Sequence, residues 1–370
     1  MIGHLRIRGY RSIRALDLPL SPLTVILGRN GVGKTNLYRG LELVQMAASG
    51  RLATSLAAEG GMPLALWAGD GQHAGEDATE KARAMRSGPR RIELSVDIDH
   101  LRYDIAIGMP NRISDPALPL DPVIREERIS ARAGGRRVTM LERKGPALSL
   151  RDGDGRMQSF ASDLLMGETA LAMGLPPEAR PEALALQNEI RGWRFYHQFR
   201  ADPASPLRQP QFALCAPSLD SDGGNWIATL MTQADLGEPY PIDRAVDAAF
   251  PGSRLTITSD GTRAELSLQM PEFHRPFSAL ELSDGMLRYL CLVAALTAYR
   301  LPPVIVLNEP ETSLHSGLIG PLAALIAEAS ERSQIILVTH SPELAERLDL
   351  DCAADVLRLV KDRGETRLDI

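Results

Sequence analysis

The sequence predicts an α/β fold with a mostly parallel central sheet and an antiparallel β-rich lobe. Three observations predict it. Leu23-Thr24-Val25-Ile26-Leu27 is a short apolar, β-branched run, the pattern of a strand buried on both faces of a parallel sheet. Val304 to Leu307 and Ile335 to Val338 are continuous apolar runs of the same kind. Residues 91 to 160 change character: Ile92-Glu93-Leu94-Ser95-Val96-Asp97-Ile98 alternates strictly, and Tyr103 to Ile107 does so again. Alternation of that sort marks an antiparallel sheet with one solvated face.

Length and composition bound what the chain can be. At 370 residues it has room for two lobes, read as residues 1–200 and 201–370, together one composite head. No stretch of about 20 uncharged apolar residues is present, so no membrane span is expected. The N-terminus Met-Ile-Gly-His-Leu-Arg-Ile-Arg lacks an apolar signal core. Cys215, Cys291 and Cys352 are scattered, which fits a reducing compartment and gives no disulfide or metal framework. A cytoplasmic location is the expectation. The net charge of −6 argues against a globally basic nucleic-acid binder but leaves room for a local basic patch.

Taken in order, residues 4 to 20 alternate around Gly-Tyr-Arg-Ser-Ile and read as a hairpin leading into the first apolar strand. Arg11 in this hairpin is a candidate to reach a nucleotide; a solvated arginine is the competing reading. After the strand, Gly28, Gly33, Lys34 and Thr35 complete Gly-x-x-x-x-Gly-Lys-Thr, the phosphate-loop pattern. Its glycines let the backbone wrap closely around phosphate oxygens, with Asn30, Gly31 and Gly33 on that path. Lys34 would reach the β- and γ-phosphates, and the Thr35 hydroxyl would hold magnesium. The helix that follows offers its positive end to the anion. Leu37, Leu41 and Val44 form its apolar face, and Gly50 is its stop.

Residues 49 to 90 read as a partly helical, mobile insertion around Trp67. Further strands are expected near Val123 to Ala131, Val138 to Glu142 and Leu148 to Leu150. Residues 161 to 191 read as helical, interrupted at Pro176-Pro177. Trp193 to Phe199 is an aromatic strand, and 221 to 249 a helix broken at Gly237 to Pro241. Leu255 to Ile257 and Ala264 to Leu268 make a hairpin around Asp260-Gly261. From 280 onward the order is helix, strand, helix, strand, helix.

Four later stretches carry chemistry. Asn308-Glu309-Pro310-Glu311 ends an apolar strand, where an acidic residue can act on an attacking water; Glu309 is the candidate general base. In Leu282-Ser283-Asp284-Gly285, Ser283 is a good N-cap and Gly285 permits close approach to an anion. Thr339-His340-Ser341-Pro342 ends another strand in a histidine able to contact phosphate or water. Glu311 to His315 follows the acidic pair. Each alone has an ordinary structural reading as a turn or a strand end.

Jointly, these motifs resemble the ABC-type ATPase heads of the SMC, RecF and OLD-like group, in particular the compact bacterial AAA-family ATPases. The resemblance covers residues 1 to 50 and 190 to 345. It implies a P-loop NTPase of ABC-ATPase-like fold that uses ATP and Mg2+. Gly28 to Thr35 would be the Walker A loop, with Asn30, Gly31, Gly33, Lys34 and Thr35 on the nucleotide. Gln198 would sense magnesium and water, with Gln187 and Gln209 as alternatives. Ser283, Asp284 and Gly285 would be the signature motif, contacting the γ-phosphate bound to a second subunit. Glu309 would be the catalytic carboxylate, Ser313 to His315 the D-loop, and His340 the switch histidine. Thr35, Gln198 and Asn308 would surround the metal.

One position departs from the pattern: Asn308 stands where the group has Asp. The carbonyl oxygen remains, but a full negative charge beside magnesium is lost. Weaker metal binding and slow turnover are expected. The resemblance implies an ATP-dependent dimerisation switch, a homodimer joined through an ATP sandwich. DNA repair or anti-phage defence is the expected setting. A non-catalytic nucleotide-dependent scaffold or sensor that regulates a separate effector protein is the alternative. DNA is a candidate partner through Arg125, Arg128, Arg132, Arg136 and Arg137; no membrane partner is expected. Only residues 341–370 follow His340, so the Toprim nuclease domain of OLD-like relatives is not expected here.

Overall fold

The computed structural model describes residues 1–69, 89–109, 121–173, 181–197 and 199–369. The chain divides into two units that interleave in sequence. Met1–Ser21, Gly28–Trp193 and Leu357–Ile370 form the first; Pro22–Leu27 and Arg194–Val356 form the second.

The first unit is built on an eight-stranded antiparallel sheet. Its strand order is Ile13–Pro19, Ile2–Tyr10, Arg91–Ile98, Leu101–Gly108, Val123–Ala133, Arg136–Lys144, Ala147–Arg151 and Met157–Phe160. This is the largest sheet among the described residues, which corrects the expectation of a mostly parallel main sheet. The cause lies in the N-terminal hairpin. Ile2–Tyr10 pairs antiparallel with Arg91–Ile98 as well as with Ile13–Pro19, so it extends the β-rich lobe.

Register decides which side of this sheet is buried. Leu5 pairs with Val96, Val96 with Tyr103, Tyr103 with Ile129 and Ile129 with Leu141. All five are buried and form one row across five strands. Burying each such side chain contributes roughly 1.5–3 kcal/mol. The helix Lys34–Ala48 covers this side, with Leu37, Leu41 and Val44 fully buried. A Cβ on Gly40 would collide with Ile7, so the glycine allows the close approach of helix to strand. Gly50 adopts φ 70° and ends the helix as expected.

The opposite side is a lattice of ion pairs, with Arg6 on Asp17 at 2.9 Å, Arg102 on Asp104 at 2.8 Å and Arg128 on Glu142 at 2.7 Å. Arg137 pairs with Asp97. On the buried side the Glu127 carboxylate accepts from the Tyr103 hydroxyl and from the amides of Ala170 and Leu171. Arg143, its cross-strand neighbour, donates to the carbonyls of Leu165 and Glu168. These bonds occupy the backbone of residues 165–171, and the described residues 161–173 contain no helix. Among the described residues of 161 to 191, helix is present at Pro181–Arg191, so the helical reading holds there and not over 161–173. In the insertion, helices form at Leu52–Ala58 and Met62–Ala65; its residues 70–88 lie outside the described residues, as do Pro176 and Pro177.

In the second unit the strands Arg194–Tyr196, Val304–Asn308, Gln334–Thr339 and Leu23–Gly28 lie side by side and parallel. The last three are apolar and buried along almost their whole length. The helices Trp226–Leu236, Tyr240–Ala249, Asp284–Thr297, Ile319–Ser330 and Pro342–Cys352 complete the unit. The break between 236 and 240 falls where Gly237 to Pro241 placed it. The expected hairpin is Arg254–Ser259 with Arg263–Gln269. The aromatic strand is shorter than read, ending at Tyr196. Among the described residues, no helix is long and apolar enough to cross a membrane.

Candidate active site

Parallel register places one chemical edge in the second unit. Asn308 pairs with Val338, Val338 with Ile26, and Thr339 with Leu27. The carboxyl ends of three neighbouring strands therefore carry Asn308-Glu309, Thr339-His340 and the entry to the phosphate loop. Ligands of open α/β sheets bind outside such ends.

Within the first unit the Lys34 side chain ties onto the start of the phosphate loop. Lys34 is buried, and its Nζ donates to the carbonyls of Gly28 at 2.7 Å and Arg29 at 3.2 Å. The helix starts at Gly33 with φ 105°, no side-chain cap and no acidic residue in its first turn. The positive end of the helix thus carries no side-chain cap of its own. Asn30, Gly31 and Thr35 are exposed. Behind the loop, Thr366 Oγ1 donates to the Val32 carbonyl at 2.7 Å and lies 2.7 Å from Ser12 Oγ, which accepts from Asn36 Nδ2 at 2.7 Å. The Arg11 guanidinium lies on Glu59 at 2.7 Å, beside the Tyr10 hydroxyl on the same carboxylate.

Within the second unit, Glu309 and His340 come together. His340 Nδ1 lies 3.7 Å from Glu309 Oε1 and 3.3 Å from Glu311 Oε1. Glu311 is buried, and its Oε1 also accepts from the His340 amide at 3.2 Å and from the Thr339 hydroxyl. Glu309 adopts φ 50° and Ser313 φ 68°. For non-glycine residues this left-handed conformation costs about 1–2 kcal/mol. A cavity of about 280 Å³ opens beside them, lined by Tyr196, His197, Phe199, Arg288, Asn308, Glu309 and Thr312. Burial pushes the Tyr196 phenol up, and its hydroxyl donates to the Leu219 carbonyl.

Asn308, read from the sequence as a magnesium ligand, has only 3% of its surface exposed. Its Nδ2 is 2.6 Å from His197 Nδ1. Its Oδ1 is buried with no hydrogen-bond partner among the described residues, as is Glu311 Oε2. Unsatisfied buried oxygens of this kind cost stability, and hard oxygen donors suit magnesium. Asn308 therefore fits the metal role. Gln198 lies outside the described residues.

Ser283 is the N-cap of Asp284–Thr297, its Oγ accepting from the Met286 amide at 3.3 Å. Ser283 and Asp284 are exposed. A Cβ on Gly285 would meet the Ser313 carbonyl at 2.9 Å, so this glycine lets the Ser313–His315 turn lie against the Ser-Asp-Gly loop. Arg208 braces the loop from behind. It donates to the carbonyls of Ala279, Leu280 and Leu282 and pairs with Asp284 at 2.7 Å. His315 caps the turn after it by accepting from Gly317 N. Thr366, Arg208, His197 and the separate role of Glu311 escaped sequence reasoning. Only Glu311, inside the quoted Glu-Pro-Glu, carried a local signal.

The strand Leu23–Gly28 leads into the Gly-x-x-x-x-Gly-Lys-Thr loop, the pattern of P-loop nucleotide-binding proteins. Residues 184–346 match the family described as an AAA domain, putative AbiEii toxin, type IV TA system. A 44-residue stretch, 12% of this chain, is 46% identical to an OLD nuclease of Thermus scotoductus (strain ATCC 700910 / SA-01) and spans 8% of that protein. Among solved structures, the SMC head bound to the C-winged helix domain of ScpA is 14% identical. The alignment covers 100% of this chain and 97% of that one at a TM-score of 0.50. An Smc head with an extended coiled coil, bound to the C-terminal domain of ScpA derived from Pyrococcus furiosus, is 13% identical over 100% and 95%, at 0.53. The chain thus shares the fold of SMC heads, with an AAA-domain match over residues 184–346 and a 44-residue stretch similar to an OLD nuclease.

Proposed function

We propose that the protein is a slow ATPase that uses ATP to switch between monomer and homodimer. The observation that carries this reading is the Glu309–His340 pair on the strand edge, 3.7 Å apart. Glu309 takes a proton from the attacking water, and His340 holds the water or the γ-phosphate oxygen. Lys34 and the backbone from Asn30 to Gly33 bind the phosphates. Thr35, Gln198 and Asn308 are the residues that would hold magnesium, which would supply positive charge against the phosphoryl group. Ser283, Asp284 and Gly285 of one copy read the γ-phosphate held by another, so only ATP favours the closed pair. The exposure of Ser283, Asp284, Asn30 and Thr35 supports a site completed by a second chain.

Light scattering with ATP, with ADP and with the Glu309→Gln variant tests it. The expected result is dimer in ATP, monomer in ADP, and persistent dimer for Glu309→Gln in ATP. One mass in all three conditions overturns the switch.

Asn308 favours a second reading, a nucleotide-dependent scaffold that turns over little ATP and controls a separate effector. The family's description as a type IV toxin–antitoxin component agrees with an effector as the output. DNA is less favoured, because Arg128 and Arg137 of the arginine cluster are already paired with Glu142 and Asp97. Salt-titrated DNA binding separates the two, since phosphate contacts give a steep loss of affinity with salt.

A further inference from the structure

The two oxygens of an aspartate are equivalent, but the two ends of an asparagine amide are not. An asparagine at a cation position works only when its oxygen, not its NH2, faces the metal. Asn308 is buried, its Nδ2 is 2.6 Å from His197 Nδ1, and its Oδ1 has no partner among the described residues. With the ring proton on Nε2, so that Nδ1 accepts, the flipped amide would aim two N–H groups at the cation position and set its oxygen against that nitrogen's lone pair. The strands Arg194–Tyr196 and Val304–Asn308 pair in parallel, with Tyr196 opposite Leu307. The residue that follows each strand position, His197 and Asn308, is therefore delivered to the same edge by backbone register.

We propose that His197 is the positioning residue that fixes the Asn308 amide, so that Oδ1 is presented to a divalent cation. This rests on the reading of Asn308 as a magnesium ligand. In this arrangement His197 Nδ1 accepts and the ring proton resides on Nε2. His197 thereby lets an uncharged amide serve where a carboxylate needs no orientation.

The test is the Mg2+ concentration giving half-maximal binding of a fluorescent ATP analogue. It is measured for the parent, His197→Phe, His197→Gln, Asn308→Asp and His197→Phe/Asn308→Asp. Loss of a partner that orients a metal ligand typically costs 10–100-fold in metal affinity. His197→Phe should raise the Mg2+ requirement about tenfold or more. His197→Gln offers an acceptor oxygen and should stay near the parent, which also controls for folding. In the Asn308→Asp background, the Phe substitution should cost several-fold less, because the carboxylate has no wrong orientation. Equal penalties in both backgrounds, or none in either, overturn the positioning role. Nucleotide binding that ignores Mg2+ in the parent overturns the magnesium reading itself, and the proposal with it.

Discussion

The Thr366 hydroxyl donates to the carbonyl of Val32 at 2.7 Å, tying the C-terminal hairpin to the turn of the phosphate loop. The hairpin is Asp355–Asp362 with Glu365–Leu368. Thr366 also anchors it through its own amide on the Ser12 carbonyl at 2.9 Å. Thr366 is fully buried, so removing its hydroxyl leaves the Val32 carbonyl without that donor. Thr366→Val keeps the shape and should cost about 1–3 kcal/mol. It should also weaken ATP binding, because the loop loses its rear support. Thr366→Ser should retain both. Thermal melts and nucleotide titrations of the two variants check this; equal ATP affinity for Val and Ser would refute the bracing role.

The same contact separates two glycines that the motif treats alike. Gly33 has φ 105°, and a Cβ there would collide with Thr366 Oγ1 and meet Ser12 Oγ at 2.7 Å. Gly31 has φ 82° and nothing within 4 Å of its Cβ position. Gly31→Ala should therefore cost only the left-handed strain, about 1–2 kcal/mol. Gly33→Ala should abolish nucleotide binding by displacing the loop. Isothermal titration with ATP measures both, and similar losses at the two positions would contradict the steric argument.

Glu127 predicts a pH dependence. Burial is the largest influence on its carboxyl and raises its pKa above the ordinary 4.5, against the opposing pull of the Ala170 and Leu171 amides. The native state thus binds more protons than the unfolded chain above pH 4.5. That contribution to stability is fully present below 4.5 and is lost as pH rises through the native value. Glu127→Gln removes the titration. Between pH 5 and 8, the urea midpoint of the parent should fall relative to that of Glu127→Gln. Parallel curves would mean that the carboxylate titrates alike in both states.

Periodicity accounts for what could be read in advance. The alternation of Ile92 to Ile98 specifies a half-buried strand whatever its partner. The apolar runs at 304 and 335 specify buried parallel strands, and Gly237 to Pro241 specifies a break. Pairing partners are not written in alternation. Nothing local in Ile2–Tyr10 says that it will add to Arg91–Ile98 and make the antiparallel sheet the larger one. Residues 161 to 173 carried helix-compatible text, but Glu127 and Arg143 claimed their amides and carbonyls from other strands. The motif residues of the site were legible because phosphate chemistry demands fixed spacings. Thr366, Arg208 and His197 were not, because each is a lone polar residue whose partner is far away in sequence.

Glu311 is the remaining test of the strand edge. Its buried carboxylate receives the Thr339 hydroxyl and the His340 amide, and its Oε1 lies 3.3 Å from His340 Nδ1. A side chain so held cannot itself reach far into solvent, whereas Glu309, a third exposed, can. In the proposed reading Glu309 acts on water, and Glu311 orients the imidazole beside it. Glu311→Gln keeps the size of the side chain but removes its charge. Turnover should fall roughly 10–100-fold, the scale of loss when a catalytic group is misplaced by about an ångström. ATP affinity should hardly change, since no phosphate contact is assigned to Glu311. His340→Ala should be no worse when Glu311→Gln is added, because both changes remove the same oriented ring. Single-turnover hydrolysis of the two single variants and the double variant measures this directly. Additive losses would show that Glu311 acts through some route other than His340.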